Sequence, residues 1–278
     1  MLNIRFFDIP TRLQPYIERA MLMDFTHALG EQWESLPLGC HNVSLLTGTV
    51  ENDFELEAPD LDGSFCGIAP AMQSAYCDFT CLGFSLGLTP LGVLHLPLHT
   101  HDFDASFTLP SEAVFGRAAW LTLRRQVRDA STPELKMQAF MAWMEEHLMS
   151  SRHWHGRAAA MGEVALQLRT PTAPAIVEAA TRVGVHRRQF ERDFRRFFGT
   201  SPKHYVTVSR VQHVAQMSWQ GIGLAGIAAE LGFTDQAHMS HVVKKFTGMA
   251  PSALLRKART SRLANVTRPF SGGRITHI

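Results

Sequence analysis

One stretch of this 278-residue chain repeats itself 49 residues further on, and that repeat constrains the fold more than any other feature. The first copy reads Gly184-Val185-His186, then Phe190, Arg192, Phe194, Arg195-Arg196-Phe197, Gly199 and Pro202. The second reads Gly232-Phe233-Thr234, then Met239, His241, Val243, Lys244-Lys245-Phe246, Gly248 and Pro251, with one extra residue after Thr234. A short helical run precedes each copy, at 175–182 and at 224–231, and Gly followed by Pro closes each sharply. Helix, tight glycine turn, second helix, stop: the pattern predicts a helix-turn-helix, twice. The run 202–220 between them reads as a connecting helix, with Tyr205, Val208, Val211-Gln212 and Ala215 as its apolar stripe.

At about 100° per residue the second helix of each unit separates into two faces. Phe190, Phe194 and Phe197 point inward in the first, leaving Arg188, Arg192 and Arg195 outward with Glu191 beside them and Arg187 in the first turn. In the second, Met239, Val243 and Phe246 point inward, and Ala237, His241 and Lys244 face outward with Ser240 beside them. Gln236 and His238 fall in the first turn, where such helices approach base edges, and Thr234 is placed as the N-cap. Guanidinium groups bind phosphates or reach guanine O6 and N7, so these faces suit double-stranded DNA.

Charge agrees. Residues 156–278 carry 18 Lys and Arg against 6 Asp and Glu, a net of +12, whereas residues 1–155 carry 9 against 19, a net of −10. A basic half joined to an acidic one points to a polyanion as partner of the basic half. With these features on the page, residues 158–260 resemble the DNA-binding domain of the AraC/XylS family of transcription regulators. The resemblance rests on Phe190-Glu191-Arg192-Asp193-Phe194, on 198–205 (Phe-Gly-Thr-Ser-Pro-Lys-His-Tyr), on 227–236 (Ile-Ala-Ala-Glu-Leu-Gly-Phe-Thr-Asp-Gln) and on 244–251 (Lys-Lys-Phe-Thr-Gly-Met-Ala-Pro). It implies two helix-turn-helix units held by a long helix and inserted into successive major grooves. The chain departs from the family at Ala237-His238-Met239, where an aromatic usually follows a small polar residue. It departs again at His241, usually Arg, and at Val243, usually Phe. Losing an Arg loses a permanent charge and a bidentate fork, so the second unit is expected to bind DNA less tightly than the first.

The acidic half reads as short strands between about 40 and 110, then helices over 111–149, with Pro133 opening one that ends near Leu148. Strands are expected at 43–50, 52–57, 65–68, 79–88 and 93–98, an order that suits a small β-barrel. The resemblance implies the same, a cupin-like effector-binding or dimerisation domain. The overall expectation is an α+β two-domain chain. Residues 1–152 form the first domain, 153–157 a linker, 158–260 the all-α DNA-binding domain, and 261–278 a mobile tail.

Two side-chain groups in the acidic half invite a metal reading. His99-Thr100-His101, with His95 and Glu112, faintly resembles a cupin metal set, and ordinary surface histidines are the plainer reading. Cys77 and Cys81 share one face of a strand, but no second cysteine pair completes a tetrahedral site. Buried apolar cysteines, kept reduced, fit better. No signal peptide opens the chain, and the glycine- and proline-broken run 79–98 does not suit a membrane span, so a cytoplasmic protein without membrane contact is expected. No catalytic triad, phosphate loop or cofactor motif stands out. The sequence therefore reads as a non-enzymatic transcription regulator, an activator or a repressor, with no cofactor. Its expected partners are double-stranded DNA, a small-molecule effector, a second copy of the chain and, for an activator, RNA polymerase. The alternative is a cupin-type metal-dependent enzyme domain fused to a DNA-binding module.

Overall fold

The computed structural model describes residues 3–28, 30, 32–35, 39–47, 63–68, 71, 73–76, 80–96, 108–150, 156–259 and 263–264. The amino-terminal half is built on a six-stranded sheet in the order β1-β2-β7-β4-β5-β8, with every neighbouring pair antiparallel. Its strands are β1 (Asn3–Phe7), β2 (Ile17–Asp24), β4 (His41–Thr47), β5 (Gly63–Cys66), β7 (Leu82–Leu88) and β8 (Thr108–Pro110). The central strand β7 has all seven residues buried, as a strand covered on both faces should. Phe84, Leu86 and Leu88 from β7 meet Val43, Leu45 and Phe65 in the core.

This architecture is two-part, as the sequence implies, but among the described residues the sheet is not a closed barrel. β1 and β8 are its two edges. Closure is replaced by cover: α2 (Ser111–Phe115), α3 (Arg117–Asp129) and α4 (Pro133–Ser150) lie across it. The Trp120 indole rests so closely on β5 that a Cβ at Gly63 has no room. A smaller sheet pairs β6 (Gln73–Tyr76) with β3 (Gln32–Ser35), and β3 also runs parallel to β9 (Leu263–Ala264). The tail that the sequence treats as mobile thus contributes two residues to a sheet of the other half.

Where a strand is expected at 93–98, Val93 and Leu94 instead end a helix, α1 (Pro90–Leu94), and 97–98 lie outside the described residues. Thr89 accepts the Gly92 N–H through its hydroxyl, and Pro90 occupies the first helical position, where its missing N–H costs nothing. The strand expected at 52–57 lies outside the described residues, as do the linker residues 153–155.

From 157 to 259 the regular elements are all helices: α5 (Arg157–Gln167), α6 (Ile176–Val183), α7 (Arg187–Phe198), α8 (Pro202–Trp219), α9 (Leu224–Glu230), α10 (Gln236–Thr247) and α11 (Pro251–Arg259). Two apolar clusters organise it. Phe190, Phe194, Phe198, Tyr205, Val208 and Val211 belong to the same continuous core as the sheet, whereas Val214, Ala215, Ile227, Leu231, Met239 and Val243 form a core of their own. The helix α8 supplies both, Tyr205 to Val211 to one and Val214 to Met217 to the other.

Candidate nucleic-acid interface

Each helix-turn-helix unit is made by a local device. The chain leaves α6 through Gly184 at φ 75° and passes the matching point after α9 through Gly232 at φ 65°. Both are left-handed conformations that a side chain would strain, which explains the paired glycines. The turns are followed by side-chain caps. The His186 imidazole Nδ1 accepts the Gln189 N–H at 3.2 Å on α7, and Asp235 Oδ1 accepts the His238 N–H at 2.7 Å on α10. The N-cap of α10 is therefore Asp235 and not Thr234. Thr234 instead donates its N–H to His238 Nδ1 at 3.4 Å.

The inward stripe of α7 is Phe190, Phe194 and Phe198, all fully buried, with Phe197 only half-buried. The stripe of α10 is Met239, Val243 and Phe246, as its spacing predicts. Opposite them, Arg187, Arg188, Arg192 and Arg195 are exposed on α7 and Glu191 is half-buried. On α10, Gln236, Ala237, His238, His241 and Lys244 are exposed, and Ser240 is half-buried with its hydroxyl returned to the Gln236 carbonyl at 2.8 Å. These are the outward positions that the helical spacing predicts.

Some of them are held in place by neighbours. Arg187 Nε binds Glu191 Oε1 at 2.8 Å one turn away, and Arg192 donates to the Gln189 amide oxygen. Gln189 in turn donates to Asp193 at 2.6 Å, and Asp193 faces Arg157 of α5 at 3.6 Å. The His238 ring stands edge-on to Phe233 with centroids 5.5 Å apart. Two exposed cations had been missed, Arg196 and Lys245. At about 100° per residue each lies some 40° from Arg192 or His241 on the outward face. In the sequence both stand inside repeated motifs, which masks their place on the face.

Of the residues in the metal reading, His95, Cys81 and Glu112 of α2 are among those described. His95 Nδ1 bonds the Leu148 carbonyl at 3.0 Å and its ring stands edge-on to Tyr16, which ties the end of α1 to α4. Cys81 is buried against Phe25 and Ala28. His99, His101 and Cys77 lie outside the described residues. Among the described residues no three His, Cys, Asp or Glu side chains converge on a point that could hold a metal ion. Likewise, no described helix is long and apolar enough to cross a membrane.

The contact between the halves is polar as well as apolar. Arg169, after α5, makes a two-pronged ion pair with Glu18 of β2, one bond being 2.9 Å, and the two side chains are only 9% and 16% exposed. Burial alone disfavours a charged guanidinium, but Glu18 outweighs it and holds the Arg169 pKa above its usual range. Beside them, burial pushes the Cys40 thiol up to about 12 and raises the Tyr205 phenol as well, so both stay protonated. His41 Nε2 bonds the carbonyl of Phe198, the last residue of α7, at 3.1 Å, and burial lowers its pKa to about 4. Gly39 lies against the Gln212 side chain of α8, and Gly162 of α5 leaves room for Leu91 and Leu94 of α1. Of these contacts, His41 reaches the first unit at the carboxy-terminal end of α7, while the others fall on α5, on the segment after it and on α8.

Comparison with known proteins agrees with this geometry. Residues 179–257 match the family model described as a helix-turn-helix domain. Against characterised proteins the sequence finds no match. Among solved structures, ToxT from Vibrio cholerae O395 is similar at 11% identity over 82% of this chain and 94% of its own, with a TM-score of 0.43. The carboxy-terminal domain of AraT, a response regulator from Geobacillus stearothermophilus, is 20% identical over 42% of this chain and 95% of its own, with a TM-score of 0.33. The DNA-binding domain of AdpA, solved with a target DNA, is 22% identical over 39% of this chain and 97% of its own, with a TM-score of 0.33. The family match falls on the two glycine turns, the two capped helices and the helix between them, and the chain thus carries a helix-turn-helix domain of the AraC type.

Proposed function

We propose that the protein is a sequence-specific, DNA-binding transcription regulator that lays α7 and α10 into successive major grooves of one duplex. The observation that carries this reading is the pair of capped helices, each turning a polar, cation-bearing face outward from the segment that matches a helix-turn-helix domain. Phosphate contacts by Arg188, Arg192, Arg195 and Arg196 supply affinity and its salt dependence. Gln236, His238 and His241 are placed to read base edges. The chemistry is non-covalent and needs no cofactor. The amino-terminal half binds a small-molecule effector, whose influence passes through the core it shares with the first unit. A second copy of the chain and, at activated promoters, RNA polymerase belong to the same reading, as does action in the cytoplasm.

Genome-wide binding of the tagged protein, followed by gel shifts on the enriched sites, tests it. A motif of two half-sites about one helical turn apart is expected. Arg192→Ala should weaken binding about tenfold and His241→Ala by less, because the arginine brings a permanent charge and the histidine does not. Absence of enriched sites together with salt-independent binding would overturn the regulator. Equal losses at the two positions would overturn the ranking of the units.

A further inference from the structure

The two recognition helices are unequally charged: α7 carries Arg187, Arg188, Arg192, Arg195 and Arg196, whereas α10 carries only Lys244 and Lys245. A further cation stands beside the second unit, on α8. The Arg210 guanidinium lies over the Phe233 ring at 5.6 Å from its centroid, and its Nη2 is 3.6 Å from where a Cβ at Gly232 would sit. Gly232 and Phe233 form the turn that feeds α10, and Phe233 in turn supports His238 in the first turn of that helix. Arg210 therefore sits at the end of the unit from which a recognition helix enters a groove.

Its surroundings differ from those of the arginines that stand in ion pairs. Arg5, Arg12, Arg157, Arg169, Arg182 and Arg187 each face a carboxylate. Arg210 faces none among the described residues, and its Nε is buried without a hydrogen-bond partner. Burial lowers its pKa, which marks a cation that has lost water without gaining an anion. The group is only half-buried, so an anion can still reach it.

We propose that Arg210 binds a DNA backbone phosphate beside the second unit, so that the connecting helix supplies a cation that α10 lacks. The phosphate supplies the anion that the guanidinium lacks and fixes the turn against the duplex edge. This rests on the DNA-binding reading above and adds a contact from outside both recognition helices.

The test is the salt dependence of binding by the full-length protein to a fluorescein-labelled 40-base-pair duplex of mixed sequence, titrated in KCl. Each lost phosphate contact flattens the slope of log K against log salt by about 0.9. Arg210→Gln should flatten it by about one unit, with a similar loss on every sequence tried, and Arg210→Lys should keep most of the slope. A partly unfolded variant loses affinity by the same factor at every salt concentration, so a purely structural role moves the melting temperature and leaves the slope alone. An unchanged slope in Arg210→Gln would overturn the proposal while leaving the regulator intact. Wild-type binding that ignores salt would overturn both.

Discussion

The two helix-turn-helix units are copies in sequence, yet they sit in different company. The first shares one core with the sheet and is tied to it by His41 on the Phe198 carbonyl, while Glu18–Arg169 pins the segment that leads into α6. The second closes its own core from α8, α9, α10 and α11, and of the α10 stripe only Phe246 reaches the shared cluster. Equivalent motifs have become a docked unit and a freer one, which meets the other half through Phe246 and, past α11, through the two-residue pairing of β9 with β3. Whatever the amino-terminal half does is therefore felt first by α7, while α10 answers mainly to α8.

The largest test of that contrast is Arg169→Met. It leaves the Glu18 carboxylate buried without its partner, which should cost the docked body about 3 kcal/mol or more. Hydrogen exchange should show α6 and α7 losing protection while α9 and α10 keep theirs. Loss of protection in both units alike would mean that the second is not freer.

A somewhat smaller effect is expected from acid. His41 is held neutral at a pKa of about 4 in the fold, against roughly 6.5 in the unfolded chain. Above pH 6.5 both states are neutral and its contribution is intact. Between 6.5 and 4 the unfolded chain binds the extra proton, so stability falls with pH by about 3 kcal/mol in all. Urea unfolding followed by exchange at α7 should show this slope, and His41→Phe should flatten it. A slope of the same size at α10 would break the comparison.

The smallest effect concerns the freer unit alone. Asp235→Ala removes the N-cap of α10 and should cost about 1 kcal/mol, read as faster exchange in the first turn of α10 only. Thr234→Ala should cost clearly less, since that hydroxyl is not the cap.

The Asp235 result also shows where sequence reading reaches its limit. The repeat, the glycine turns and the outward faces were legible because each is a local periodicity with a local cause. Neighbouring residues competing for one role were not: Thr234 and Asp235 are both good caps, and Phe197 and Phe198 differ by 100° at a helix end where the phase is least defined. The Thr-Pro step at 89–90 was a helix-start signal overlooked beneath an apolar run that also suits a strand. β2 went unseen because Ile-Glu-Arg-Ala-Met-Leu-Met-Asp lacks strand alternation and is rich in helix formers. The Glu18–Arg169 pair joins residues 151 positions apart and leaves no mark on either local sequence.

The helix α8 gives the molecule a mechanical property. It is a single shaft of 18 residues, about 27 Å long, with the docked unit bearing on one end and the freer unit mounted on the other. On such a shaft a flexure of about 5° at the docked end swings the far end by about 2 Å, comparable to the shifts by which helices signal across interfaces. The spacing between two reading heads on a duplex can thus be tuned by a bend too slight to break any bond within either one.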